Sequence, residues 1–407
     1  MDIWLVLTIL LSTVILIDYL INTNNTKINM VTVFIVLLLS TLVGLRGEMG
    51  QDYQSYIDIF YRIPAFVDKG FDAVLQGSDN FRIEPLYILI ISIFKSFIPI
   101  YNVYIFCQTL GILVLFIWSL SRIKAPINIG LYIFFFNYYL NSFGQQRMGI
   151  AYALCFLAST FFVERQFRSF FVTVGISSVF HYVSVFLLLA MFLKYVPVLN
   201  LQLNKYKKVN LTNTNIKTKH LDVAINHKSL SISSWYLKAI ILFLVVIIIS
   251  LYIINFKTIA VFISTNSFLS SFRPIKTLTG YILKAESEVL PTRESAIRGF
   301  ISYVILLFTL YFRRKFWLNP ETGILFSLLT LGWIFWIFNY DLPWAAHRVR
   351  DLYWSNIIGL GALVTVGERK VYPLATIMIL VFSIYSFYSQ IARGIGPYVP
   401  IENNLIF

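Results

Sequence analysis

Charge is scarce in this chain. Asp, Glu, Lys and Arg make up 13% of its 407 residues, where a soluble globular domain carries about a quarter. Cysteine is scarcer still. Cys107 and Cys155 are the only two, and both fall inside apolar runs. That predicts buried thiols and excludes a disulfide framework or a cysteine-based metal centre. No Walker loop, Rossmann glycine pattern or nucleophile elbow occurs, so neither a nucleotide site nor serine-hydrolase chemistry is expected. No basic, aromatic-studded soluble stretch is present, which argues against nucleic acid as a partner. The strict alternation of an outer-membrane barrel is missing. So is any internal repeat of useful length, a common mark of transporters. Nothing in the sequence calls for a metal or another cofactor.

What the chain has instead is apolar surface. It is 58% hydrophobic and 17% aromatic, with a mean hydropathy of +0.75. Uninterrupted runs of about 18 or more apolar residues recur from end to end. Only helical bundles and closed barrels satisfy their backbones in lipid, and continuous runs point to helices. The expected fold is therefore an all-α polytopic integral membrane protein of about 11–13 transmembrane helices, some of them re-entrant. Spans fall near 3–21, 29–45, 84–100, 102–121, 127–143, 147–163, 168–194, 236–255, 297–312, 322–339, 350–366 and 371–390. The first lacks a basic start and a small-residue cleavage site, so it is expected to be retained. Asp18, near its end, is expected at the interface. The aromatic run Phe134–Phe136 with Tyr138 and Tyr139 reads as an interfacial belt.

Residues 1–407 are expected to form one transmembrane helical domain interrupted by hydrophilic segments. The balance of 33 Lys and Arg against 19 Asp and Glu is carried mostly in loops, where it orients helices and meets anionic lipid. The Lys-rich linker at 195–235 is expected on the cytoplasmic side, and the loops at 46–83 and 256–296 on the periplasmic side. That parity requires a break in 168–194, for which "VFHYVS" around His181 is the natural place. It also requires a full span plus a re-entrant piece between Glu84 and Leu120.

In this orientation the outer side collects the unusual polar residues: Arg46, Asp52, Tyr53, Glu84, Arg147, His181, Arg348 and Arg350. Ionisable groups at membrane depth are costly and usually line a cavity. Arg147 opens a long apolar helix, just after Gly144, Gln145 and Gln146. Backbone N–H groups at a helix N-terminus together with a guanidinium suit an anion, and the guanidinium fork matches phosphate oxygens. Asp52, Glu84 and His181 are three candidates for a general base.

In order along the chain, these residues resemble the EpsG-like branch of the Wzy-type polysaccharide polymerases. "LRGEMGQDYQSYIDIF" is similar to the family's Arg, Gly-x-Asp-Tyr and following Tyr. "EPLY" is similar to its Glu and tyrosine at the next span. "QQRMGIAYALCFLAS" and "SSVFHYVSVF" resemble its Arg-led small-residue helix and its Phe-His helix. "HRVRDLYW" supplies a late arginine before an aromatic. Two departures stand out. The glutamines Gln145 and Gln146 precede Arg147, where the family has Arg then Gln. The last motif also offers two arginines, Arg348 and Arg350.

The resemblance implies an architecture like the large membrane glycosyltransferases. It implies a multi-pass enzyme of the bacterial inner membrane with its active face in the periplasm, joining oligosaccharide repeat units carried on undecaprenyl diphosphate. Donor and acceptor would both be lipid-linked, the bilayer would be a constant partner, and a chain-length regulator protein an additional one. Arg147, with Arg348 or Arg350 and Arg46, would hold the diphosphate. Tyr53, Gln146 and Tyr353 would join the substrate-binding set, and Asp52, Glu84 or His181 would take the acceptor proton. The alternatives are a lipid-linked oligosaccharide flippase, or another polyprenyl-dependent membrane glycosyltransferase or ligase.

Overall fold

A computed structural model describes residues 3–21, 26–45, 52–72, 83–139, 142, 144–195, 265–266, 320–338, 343–367 and 370–371, with scattered positions from 377 to 388. Arg46, nearly all of the Lys-rich linker and of the 256–296 loop, and the spans expected at 236–255 and 297–312 lie outside the described residues.

The described chain is mostly helical. Its helices are α1 (Ile3–Ile21), α2 (Met30–Gly44), α3 (Tyr53–Arg62), α4 (Phe66–Lys69), α5 (Pro85–Phe97), α6 (Tyr101–Arg122) and α7 (Ile127–Phe134), then a π-helical turn (Phe135–Tyr139). After these come α8 (Gln146–Val163), α9 (Phe167–Phe180), a 3₁₀ helix (Tyr182–Tyr195), α10 (Pro320–Phe338), α11 (Pro343–Trp354) and α12 (Asn356–Thr365). A two-stranded hairpin pairs Val366 with Val371 and Gly367 with Lys370. Among the described residues, α6 and α8 are long and apolar enough to cross a membrane, and several apolar helices are shorter.

Local sequence sets several boundaries. Asn29 caps α2 through a reciprocal box with Thr32, which satisfies backbone donors at the helix start. Pro85 opens α5, at a position where its missing N–H and fixed φ cost nothing. The region from Glu84 to Leu120 divides into a short helix and a long one. At about 1.5 Å per residue α5 is roughly 20 Å long, short of the ~30 Å hydrocarbon core, whereas α6 has 22 residues.

Helix α8 is central. Every one of its residues except Arg147 is buried, and it packs against α6, α9, α10 and α11. A helix that is apolar all round belongs inside. Near its first turn the backbone runs tight. A Cβ on Gly149 would lie 2.8 Å from the Ser142 carbonyl oxygen, closer than real contacts allow. Gly149→Ala is therefore expected to cost about 1–3 kcal/mol, as overpacking does. Thermal unfolding of the purified protein checks this, and an unchanged midpoint would contradict the close approach.

The chain breaks at His181, whose backbone is extended between α9 and the 3₁₀ helix. Ser177 and Ser184 lie on either side of the break, and their hydroxyls meet at 2.8 Å. A straight helix would hold residues seven apart roughly 10 Å from each other, so the chain bends here.

Two expectations are corrected, and Asp18 is placed among partners. Asp18 is shielded from solvent near the end of α1. It is 4% exposed, and its carboxylate accepts from Asn29 Nδ2 at 2.8 Å and Asn128 Nδ2 at 2.6 Å. Thr32 donates to Asn128 Oδ1 at 2.7 Å, so this polar knot ties α1, α2 and α7. The aromatics from Phe134 to Tyr139 form no outer belt. All are buried in the π-helical turn and the end of α7, with Phe135 stacked on Phe387 and Tyr139 donating to the Leu39 carbonyl at 3.0 Å. Cys155 is buried as expected, but Cys107 is exposed on α6.

Candidate functional site

Asp52, Glu84, Arg147 and His181 stand at the termini of α3, α5, α8 and α9. Each is held there for a local reason. Asp52 and Glu84 precede their helices without using their side chains as caps, which leaves both carboxylates for tertiary partners. Arg147 is the second residue of α8, so its guanidinium emerges where the apolar wall of that helix begins. The break after Phe180 turns His181 inward.

Glu84 is the hub. It is 1% exposed. One carboxylate oxygen accepts from Arg147 Nη1, and the other lies 3.1 Å from His181 Nδ1. With Nδ1 donating to the carboxylate, His181 presents Nε2 as an acceptor, and Arg348 Nη1 lies 3.5 Å from that atom. Four residues from four helical segments thus form one chain: Arg147, Glu84, His181 and Arg348. Arg147 Nε also reaches toward the Tyr56 hydroxyl, at 3.5 Å.

Asp52 completes the group. It is only partly buried and lies within the fields of both Arg147 and Arg348. Among the described residues no hydrogen bond reaches its carboxylate. Burial raises its carboxyl above the ordinary value of 3.8, while the two guanidiniums pull the other way. A desolvated carboxylate without a donor is disposed to take up a proton.

Behind Arg147 the first turn of α8 is fixed by amides and tyrosines. Tyr87 donates to Gln146 Oε1 at 2.7 Å, Gln146 Nε2 donates to the Tyr101 hydroxyl at 2.5 Å, and Gln108 donates to the Gln146 carbonyl at 3.2 Å. Tyr53 and Tyr101 meet edge to face at 5.9 Å, and Tyr56 and Tyr87 at 6.0 Å. The glutamine before Arg147 therefore has a place in the structure as a bracket between α5, α6 and α8. Tyr101 and Gln108 were not singled out from the sequence. Their signal was faint: two polar groups seven apart, hence on one face of an apolar helix.

The late motif divides. Arg348 lies beside His181, and its charge is felt at Asp52. Arg350 donates to Asp351 at 2.6 Å, and its guanidinium lies 5.6 Å from the ring centres of both Trp333 and Trp336. Tyr353 is fully buried, donates to the Phe186 carbonyl at 2.8 Å, and sits against Gly332, where an added Cβ would come within 2.4 Å of it. Arg350 and Tyr353 hold α10, α11 and the 3₁₀ helix together. Of the two late arginines, Arg348 is the one whose guanidinium lies beside His181.

Residues 29–211 fit the model of the EpsG family, in line with the resemblance carried by the Asp-Tyr, Glu-Pro, Gln-Gln-Arg and Phe-His segments. The matched stretch contains Asp52, Glu84, Arg147 and His181 and ends before Arg348. Neither the curated proteins nor the solved structures contain a match to the chain.

Proposed function

We propose, taking the EpsG family match as the premise, that this chain is a polysaccharide polymerase of the bacterial inner membrane. It joins undecaprenyl-diphosphate-linked oligosaccharide repeat units at the periplasmic face. The observation that carries the reading is the convergence of Asp52 and Arg348 on the buried Arg147–Glu84–His181 chain. A membrane glycosyltransferase with a lipid-diphosphate donor needs a base for the acceptor hydroxyl and cations for the leaving group, and this group of side chains offers both.

In the reaction the acceptor hydroxyl, on the non-reducing end of a new lipid-linked unit, attacks the anomeric carbon of the growing chain. The new C–O bond forms as the bond to the lipid diphosphate breaks, and the diphosphate leaves with the electron pair. Asp52 takes the hydroxyl proton. Arg348 and Arg147 face the negative charge that grows on the leaving group, and such preorganised charge is usually the largest catalytic contribution.

The charges of the site suit this sequence of events. With His181 neutral and both acids ionised, two carboxylates balance two guanidiniums. Once Asp52 has accepted the proton, the site carries one net positive charge, at the moment the diphosphate becomes most negative. Glu84 stays ionised throughout, because it is held by Arg147 and His181. The chemistry as written needs no cofactor. The wider reading keeps a multi-pass architecture like the large membrane glycosyltransferases, the segments 46–83 and 256–296 outside, the linker at 195–235 inside, and a chain-length regulator as partner.

The test is polymerisation of a purified lipid-linked repeat unit by the purified protein in nanodiscs. A ladder of products is expected. Arg348→Ala is expected to lower its rate about 10²–10³-fold, the usual loss when one charge-stabilising donor goes. Arg350→Ala is expected to lower thermal stability while leaving a measurable rate. Transfer of the lipid-linked unit across a vesicle membrane with no new glycosidic bond would favour the flippase instead.

A further inference from the structure

Lys95 is the basic residue within the apolar helix α5. A lysine there needs a reason, because its ammonium must find polar partners. It finds three. Nζ donates to the carbonyls of Phe60 at 3.1 Å, Tyr61 at 2.8 Å and Ile63 at 2.8 Å. These belong to the last turn of α3 and the residue that closes it. The final carbonyls of a helix have no partner within it, and a cation beside them is favourable. All three ammonium donors are therefore spent on one helix end.

Neighbouring residues of α5 extend the fastening. Ser92 donates to the Pro64 carbonyl at 2.9 Å, and the Val67 amide donates to Ser96 Oγ at 3.2 Å. At the other end of the same two helices, Arg147 contacts both Glu84 and Tyr56. Tyr56 and Tyr87 touch between these ends. Side-chain contacts thus link α3 and the residues after it to α5 near both ends, in the same chain direction. The distance along α3 from Asp52 to Tyr61 is about 14 Å, and along α5 from Glu84 to Lys95 about 16 Å, at ~1.5 Å per residue. The two spans between these contacts are similar in length.

We propose that Lys95 is a positioning residue for the candidate site: by fastening the C-terminal end of α3 to α5, it holds Asp52 in register with Glu84 and Arg147. The proposal rests on Asp52 acting as the base. A catalytic group must be held to about 0.5 Å, and α3 has polar Gln54, Ser55 and Arg62 on its exposed face, so its inner contacts alone must resist sliding. Lys95 does not touch the reacting groups; its hydrogen bonds are to the end of α3.

The experiment compares Lys95→Met, Lys95→Arg and Asp52→Asn in nanodiscs, by steady-state kinetics on the lipid-linked unit and by amide hydrogen exchange. Lys95→Met is expected to lower kcat roughly 10–100-fold, the scale of a 1 Å misplacement, with KM little changed. The acid limb of its pH profile should move down toward the ordinary carboxylate range as Asp52 becomes wetter. Amides of 53–63 should exchange faster, while those of 146–163 should not. Lys95→Arg, which can still donate to carbonyls, should recover most of the rate.

Parental exchange at 53–63 in Lys95→Met overturns the proposal. So does a parental kcat and pH profile in Lys95→Met when Asp52→Asn is inactive. If Asp52→Asn is itself active, the assignment of the base fails, and the exchange data alone decide whether Lys95 fastens α3. Should Lys95→Met not fold, Ser92→Ala removes one link and is expected to shift exchange and kcat in the same directions by about twofold or more; no shift in either overturns the proposal.

Discussion

Glu84→Ala is expected to yield a protein with no polymerising activity and a clearly lowered unfolding midpoint. The Glu84 side chain is 2% exposed and that of Arg147 is 19% exposed, so the pair is largely out of water. Removing Glu84 takes away the carboxylate that meets Arg147 directly, and breaking such a buried pair costs about 3–5 kcal/mol. His181 loses its Nδ1 acceptor in the same step, and with it the tautomer that presents Nε2 to Arg348. Glu84→Gln keeps the shape and some hydrogen bonding but not the charge, so its loss of stability should be smaller and its loss of activity still severe. The two variants are compared by thermal unfolding and by product ladders. If both melt and polymerise like the parent, Glu84 is not the hub that its contacts describe.

The second large effect has the opposite balance. Asp52→Asn is expected to lower the rate about 10²–10⁴-fold, the range for loss of a general base, while leaving the fold intact. The stability sign follows from the raised carboxyl. Burial, opposed by Arg147 and Arg348, lifts Asp52 above its ordinary 3.8, so the folded protein holds this proton more tightly than the unfolded chain. The stabilisation from that proton is full below the ordinary carboxylate range and is lost as pH rises through the raised folded value. Asparagine is neutral at every pH and escapes that loss, so Asp52→Asn should melt at or slightly above the parent near neutrality. A base works only when ionised. The parental rate should therefore fall as pH drops through the raised value, giving an acid limb above the ordinary carboxylate range. A parental rate in Asp52→Asn would remove Asp52 from the chemistry.

The site was more legible than the fold around it, for a physical reason. Ionisable groups are rare in so apolar a chain, so Asp52, Glu84, Arg147, His181 and Arg348 stood out one by one. What sequence could not supply was their pairing. Arg348 and Arg350 are two apart and chemically alike. Only the positions of Trp333, Trp336 and Asp351 reveal that Arg350 is committed elsewhere. Nor could sequence show that the two oxygens of Glu84 meet Arg147 and His181.

The misplaced elements share a different cause. A tyrosine-rich run suits a membrane interface and a protein interior equally well, since both offer an apolar bed and a partner for the hydroxyl. Phe135 and Tyr139 found theirs in Phe387 and Leu39, which no local pattern announces. Apolar surroundings likewise did not distinguish Cys107 from Cys155, because one side of α6 faces outward. The break at His181 was legible, since loop charge parity demanded one in that segment, but the serine pair that closes the bend was not.

The knot at Asp18 bears on the order in which this chain can be completed. Its second amide partner, Asn128, comes 110 residues later. At a synthesis rate of about 5–20 residues per second, that is a delay of roughly 5–20 s. During this interval the carboxylate has only Asn29, made 11 residues after it, of its two amide ligands. The α1–α2 pair is therefore a provisional assembly. It lacks one of the two amides that meet Asp18 until α7 is made, and the arrival of α7 ties α1, α2 and α7 together.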